Sequence, residues 1–243
     1  MLTSFSGTDI GKKRKINQDY VYTRAEKLGN LSNLFIVADG MGGHAAGDYA
    51  SRTAVDVMED FVAESFEKNP QVILTKAVEA ANSEVYSQAN AVKEYQGMGT
   101  TVVAATFVGR YLQAINVGDS RIYLIRAGAI RQLSVDNSLV EDMIRSGSIS
   151  REQARNHPDK NIITRAVGVK DYIESDLYTE ELLSGDIVLL CSDGLTNMLE
   201  DDEICRIIKK APDLEKAVEK LIDDANKEGG KDNISVVLIR YED

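Results

Sequence analysis

Apolar positions along the chain follow two periods. Runs that are continuous or alternate, and are rich in β-branched residues, occupy 34–38, 101–108, 112–117, 122–125, 187–191 and 234–241; these are expected strands. The three central runs are separated by very short turns, at Gly109-Arg110 and Gly118-Asp119-Ser120, which predict an antiparallel meander. That argues against a purely parallel sheet. Ala50, Ala54, Val57, Met58, Phe61 and Val62 share one helical face, and a second helix is expected from Pro70 to about Ala91. Near the C-terminus, Leu214, Ala217, Val218, Leu221, Ile222 and Ala225 repeat at helical spacing. The class is α+β, a layered sandwich with helix pairs covering antiparallel sheets. Residues 138–170 fit neither pattern. They read as an insertion, with a short helix at 139–146 and another opening at Ser150.

Length and charge narrow the picture. The 243 residues suffice for one domain, 1–243, with a well-buried core. A net charge of −11 argues against nucleic-acid binding. No run approaches the ~18 apolar residues of a membrane span, and Met1 to Ser6 lack the basic start and apolar stretch of a secretory signal. A cytoplasmic location with no membrane contact is therefore expected. Cys191 and Cys205 are too few for a disulfide framework or a metal knuckle. The run Glu200-Asp201-Asp202-Glu203 suits a helix N-terminus.

Four aspartates stand at strand ends or turns beside glycine or asparagine: Asp39-Gly40, Gly118-Asp119, Asp193-Gly194 and Asp232-Asn233. Any one Asp-Gly is most simply a turn. Four of them at the ends of apolar strands would crowd like charges unless they are dispersed or a cation neutralises them. His44 and His157 are the only histidines, so nitrogen and sulfur ligands for zinc are lacking. An all-oxygen set favours Mg²⁺ or Mn²⁺.

Six motifs then occur in order: the stretch from Gly11 through Arg14 to Asn17-Gln18-Asp19, Asp39-Gly40-Met41-Gly42-Gly43-His44, Gly99-Thr100-Thr101, Asn116-Val117-Gly118-Asp119-Ser120-Arg121, Cys191-Ser192-Asp193-Gly194-Leu195 and Lys231-Asp232-Asn233-Ile234. Together they resemble the metal-dependent protein phosphatases (PPM, or type 2C) in their compact bacterial form. The resemblance implies a four-layer sandwich of two antiparallel sheets flanked by helix pairs, with residues 138–170 as a flap beside the active site. It implies hydrolysis of phosphoserine and phosphothreonine in proteins by metal-activated water. By the same resemblance Asp39 bridges two Mn²⁺ or Mg²⁺ ions, the Gly40 carbonyl binds one, Asp193 and Asp232 hold the other, and Asp119 helps bind a third, weaker ion. Arg14 matches the phosphate-binding arginine, whose guanidinium fork suits two phosphate oxygens. Asp19 is expected to order water beside the metals.

The chain departs from the family pattern at two places. Met41 stands where animal members carry a histidine, which leaves His44 as candidate general acid or as a structural part of its loop. Asn137 stands where a histidine is common and reads as a helix N-cap or turn residue. The expected partners are phosphorylated proteins, substrates of a serine/threonine kinase in bacterial signalling, met by a monomer. Flap cations such as Arg151 and Arg155 are candidates for meeting acidic phosphoprotein surfaces, or are solvated charges of a helix face. Two rivals remain. A catalytically inactive phosphoprotein-binding module of the same fold should lack metal aspartates, and none is missing. A dinucleotide site over Gly40 to Ala45 would set Asp39 against a pyrophosphate.

Overall fold

The computed structural model describes residues 1–43 and 46–243. In chain order, β1 (Leu2–Asp9), β2 (Asp19–Arg24) and β3 (Leu34–Met41) lead into helices α1 (Ala46–Glu64) and α2 (Pro70–Ala91). The middle of the chain holds β4 (Gly99–Thr100), β5 (Val102–Val108), β6 (Tyr111–Val117), β7 (Arg121–Arg126) and β8 (Ala129–Gln132). Two short helices, α3 (Leu139–Arg145) and α4 (Arg151–Arg155), precede β9 (Asp176–Glu181) and β10 (Ile187–Cys191). The chain finishes with α5 (Asp193–Thr196), α6 (Asp201–Lys210), α7 (Leu214–Lys227) and β11 (Ile234–Tyr241). No helix among the described residues is long and apolar enough to cross a membrane.

Two antiparallel sheets result. One runs β1-β11-β10-β7-β8; the other runs β2-β3-β5-β6-β9, with β4 beside β3. Strand alternation explains the layers. On β3, Phe35 and Val37 enter the core between the sheets, where Val188, Leu190, Val237 and Ile239 meet them. Leu34, Ile36 and Ala38 point the other way, into a core shared with α1 and α2. Leu189, Cys191, Val236 and Leu238 do the same beneath α6 and α7. Central strands are thus apolar on both faces, which is why their sequences run continuously hydrophobic. The expected four-layer α+β sandwich is the observed one.

The expected meander holds only in part. β5 and β6 form a hairpin, with Val102 opposite Val117 and Val108 opposite Tyr111. After β6, however, the chain leaves its sheet, and β7 pairs with β10 and β8 in the other. The free edge of β6 is taken by β9. Gly118 makes this exit possible. Its φ is +105°, and Asn137 clamps it from both sides: Asn137 Oδ1 accepts from the Gly118 N–H at 2.9 Å, and the Asn137 N–H donates to the Gly118 carbonyl at 2.8 Å. A short turn says nothing about which sheet receives the next strand, so turn length alone could not show the crossing. Asn137 is accordingly a clamp and not the helix cap, which is Ser138 on α3.

A Cβ at residue 118 would lie 2.6 Å from Thr101 Cγ2 and would hold a left-handed backbone. Gly118→Ala should therefore cost about 1–3 kcal/mol or more, read as a lower denaturant midpoint at unchanged slope.

Candidate active site

Antiparallel pairing fixes where the aspartates go. The C-terminal end of β10 lies beside the N-terminal ends of its neighbours β11 and β7. Asp193 follows β10, Asp232 precedes β11 and Asp119 precedes β7, so all three gather at one end of that sheet. In the other sheet Asp19 opens β2 and stands directly opposite Asp39, near the end of β3. A cleft of about 220 Å³ runs between the two sheet ends, lined by Asp39, Gly40, Asp119, Asp193, Asp232 and Arg14, with Gln18, Asn161 and Ile163 among the others. The structure therefore brings together every described candidate lining residue. Asp19 lies just behind, 5% exposed. His44 falls outside the described residues.

Small polar side chains hold the Asp39 backbone and the carboxylates of Asp19 and Asp193. The Asp39 N–H donates to Thr101 Oγ1 at 3.1 Å, while Thr100 Oγ1 and the Thr101 N–H each donate to the Asp39 carbonyl at 2.9 Å. Thr101 is tied in turn to Ser120 at 2.7 Å, next to Asp119. Ser192 Oγ donates to Asp19 Oδ2 at 2.7 Å and accepts from the Ser235 N–H at 2.9 Å. Asn197 Nδ2 donates to Asp193 Oδ2 at 2.7 Å, and Lys160 Nζ holds the other end of that amide at 3.1 Å. Gly40 admits the close backbone approach here: a Cβ would sit 2.0 Å from the Gly47 carbonyl and 2.6 Å from that of Gln18.

Asn233 does more than follow a metal candidate. Its Oδ1 accepts from the Gln18 N–H at 2.8 Å, and its Nδ2 donates to the carbonyls of Ile10 and Ile16 at 2.9 and 3.1 Å. This fixes the loop that presents Arg14, whose guanidinium reaches Asp232 Oδ2 at 2.7 Å. That bond raises the Arg14 pKa above its usual value, against the lowering effect of burial. Sequence reasoning passed over Thr101, Ser192, Asn197 and Asn233 as individual contributors. For Ser192, Asn197 and Asn233 the available signal was a hydroxyl or amide directly beside, or one turn from, an aspartate; Thr101, far from Asp39 in the chain, carried none.

Burial, then repulsion from neighbouring carboxylates, pushes Asp39 and Asp119 well above the ordinary range. Asp193 is raised to about 6, by burial first and by Asp232 second. Asp19 is raised to about 7 by burial, despite the hydrogen bonds it accepts. Arg121 lowers the burden on Asp119 and Asp193 but is itself engaged by Asp136 through three contacts of 2.7–3.0 Å. Among the described residues no three acidic, histidine or cysteine side chains converge tightly enough to enclose an ion unaided. Mg²⁺ and Mn²⁺ do not require that, since such ions keep several waters and accept backbone carbonyls. The donor set is all oxygen, and the buried Asp193 Oδ1 accepts no hydrogen bond from any described residue. These residues fit hard divalent cations.

Three cations of the segment 138–170 form ion pairs inside the chain. Arg155 meets Glu200 at 2.6 Å, Arg165 meets Asp176 at 3.0 Å and Arg151 reaches Glu141 at 3.4 Å. Their acidic partners lie within the chain itself.

Two sheets closing on a cleft of half-buried aspartates form a centre of the kind hydrolases use with hard cations. The comparisons give its family: residues 6–238 match the protein phosphatase 2C model, and the chain belongs to that family. It is similar to the serine/threonine phosphatase stp of Listeria innocua, 41% identical over 96% of this chain and 93% of that one. A solved serine/threonine phosphatase of S. agalactiae superposes with a TM-score of 0.93 at 36% identity, covering all of both chains. The catalytic domain of PstP, solved in complex with two manganese ions, gives 0.88 at 33% identity over 100% of this chain and 99% of that one.

For Asp19 and Asp193 the folded-state pKa lies above the ordinary 3.8. Folding then takes up protons, and their contribution to stability declines as pH rises from about 4 to about 7. In chelator, the melting temperature should be lower at pH 8 than at pH 5; Asp19→Asn should reduce that slope, and excess Mn²⁺ at pH 8 should restore the loss. A slope unaltered by Asp19→Asn would contradict this account.

Proposed function

We infer that the chain is a metal-dependent protein serine/threonine phosphatase, hydrolysing phosphoserine and phosphothreonine side chains. The observation that carries this reading is the meeting of Asp39, Asp119, Asp193 and Asp232, drawn from both sheets, with Arg14 in one cleft. Asp39, the Gly40 carbonyl, Asp193 and Asp232 hold two Mn²⁺ or Mg²⁺ ions, and Asp119 contributes to a third. Bound there, divalent cations acidify water and offset the charge of the phosphoryl group.

The chain's own residues do the rest. Arg14 keeps its terminal nitrogen on Asp232 and offers the remaining donors of its fork to phosphoryl oxygens. Asp19, held by Ser192, orients water behind the cleft. Lys160, through Asn197, fixes the rotation of the Asp193 carboxylate. His44 protonates the leaving alkoxide. The segment 138–170 borders the cleft through Asn161 and Ile163 and acts as the flap over bound substrate. Opposition to a serine/threonine kinase in the cytoplasm, by a monomer, completes the proposal.

Phosphate release from a phosphothreonine peptide should need Mn²⁺ or Mg²⁺ and vanish in chelator. Asp193→Asn should lower kcat at least about 100-fold. Arg14→Ala should raise KM at least about tenfold, the worth of one charged hydrogen bond. Metal-independent release, or full activity in Asp193→Asn, would sink the reading.

A further inference from the structure

We propose that Lys12, Lys13, Lys15 and Lys231 form an anion-recognition rim beside the cleft, selecting phosphopeptides that carry acidic side chains next to the phosphorylated residue. This rests on the phosphatase reading and adds a substrate class to it.

In a chain with 28 basic and 39 acidic residues, four consecutive cations at 12–15 are a local reversal of charge. All four are exposed, as is Lys231. Arg14 turns into the cleft and pairs with Asp232. Lys12, Lys13, Lys15 and Lys231 make no ion pair with any described residue, in contrast to Arg151, Arg155 and Arg165 of the flap. The rim therefore supplies cationic charge that no acid of the chain already occupies.

The loop is also held in place. The N–H groups of Lys12 and Lys13 both donate to the Gly230 carbonyl, at 2.7 and 3.2 Å, and Asn233 grips the carbonyls of Ile10 and Ile16 at its two ends. A backbone fixed beforehand loses little freedom when a ligand binds. Lys13 and Lys15 are chain neighbours of Arg14, one Cα step of about 3.8 Å away. An extended peptide advances about 3.3 Å per residue, so one that holds its phosphate on Arg14 and runs along this loop passes these lysines within a few residues. A peptide fits better than a membrane or nucleic acid, because an extended anionic surface would also face the rest of a molecule whose net charge is −11.

The test compares three phosphothreonine peptides, flanked by Asp/Glu, by Ala or by Lys, with 4-nitrophenyl phosphate as a substrate too small to reach the rim. Native protein and a Lys12→Glu/Lys13→Glu/Lys15→Glu variant, confirmed as folded by its melting temperature, are assayed at low and high salt. Exposed pairs are individually weak, but several acting together should give about a tenfold higher kcat/KM for the acidic peptide. That preference should shrink in 0.5 M salt and disappear or reverse in the variant, with 4-nitrophenyl phosphate turnover unchanged. Equal turnover of all three peptides by native protein, or a preference that survives in the variant, overturns the inference while leaving the phosphatase reading intact. Binding to anionic vesicles that the variant loses, without any peptide preference, reassigns the loop to lipid and overturns it as well. Absence of turnover with every substrate defeats both readings together.

Discussion

Asp39, Asp119, Asp193 and Asp232 are pressed into one cleft, with a fifth carboxylate, Asp19, directly across the strand ladder from Asp39. Carboxylates so placed repel one another, and burial withdraws the water that would screen them. What opposes the repulsion is the apolar packing between the sheets, where Phe35, Val37, Leu190, Val237 and Ile239 are fully buried. Each such side chain contributes about 1.5–3 kcal/mol by leaving water. The fold spends part of that stabilisation holding an unfavourable cluster of charge in register, and a hard cation relieves it. Affinity for metal and strain in the scaffold are two aspects of the same arrangement.

Around the cluster, neutral groups do the positioning. Thr100, Thr101, Ser192, Asn197 and Asn233 each bond a catalytic candidate or the backbone that carries it, and Ser120 braces the Thr101 hydroxyl. None adds charge, which matters where charge is already in excess. Most are buried, so their hydrogen bonds are not exchanged with water and their geometry is well determined. The segment 138–170 and the residue before it join this scaffold. Asn137 clamps the turn before Asp119, and Lys160 reaches Asp193 through one amide. The segment is thereby linked through Asn197 to the Asp193 carboxylate.

The sequence announces the interior of this fold far better than its edges. Strands β3, β5, β6, β7, β10 and β11, all central, show as apolar runs because both of their faces are covered. The four strands that end the sheets, β1, β2, β8 and β9, did not show. In β1, Ser4, Ser6 and Thr8 stand among the apolar residues, and β9 reads Asp-Leu-Tyr-Thr-Glu-Glu with alternate residues exposed. An edge strand needs only one partner and one buried face, so its pattern is diluted. The aspartates were legible because each stands beside Gly or Asn at the end of a central strand. The passage of β6 into the opposite sheet was not, since it depends on Asn137 gripping Gly118 from 19 residues away.

The first and last strands are paired along their whole length, Leu2 opposite Tyr241 and Asp9 opposite Ile234. Arg14 and Asp232, which share a hydrogen bond, are separated by 218 positions. During synthesis, the early part of the chain can collapse with its helices, but the cleft has no floor until β11 emerges from the ribosome and inserts between β1 and β10. Assembly of the cleft thus waits until residues far apart in the chain have met. A chain cut short before residue 232 lacks one of the carboxylates that line the cleft.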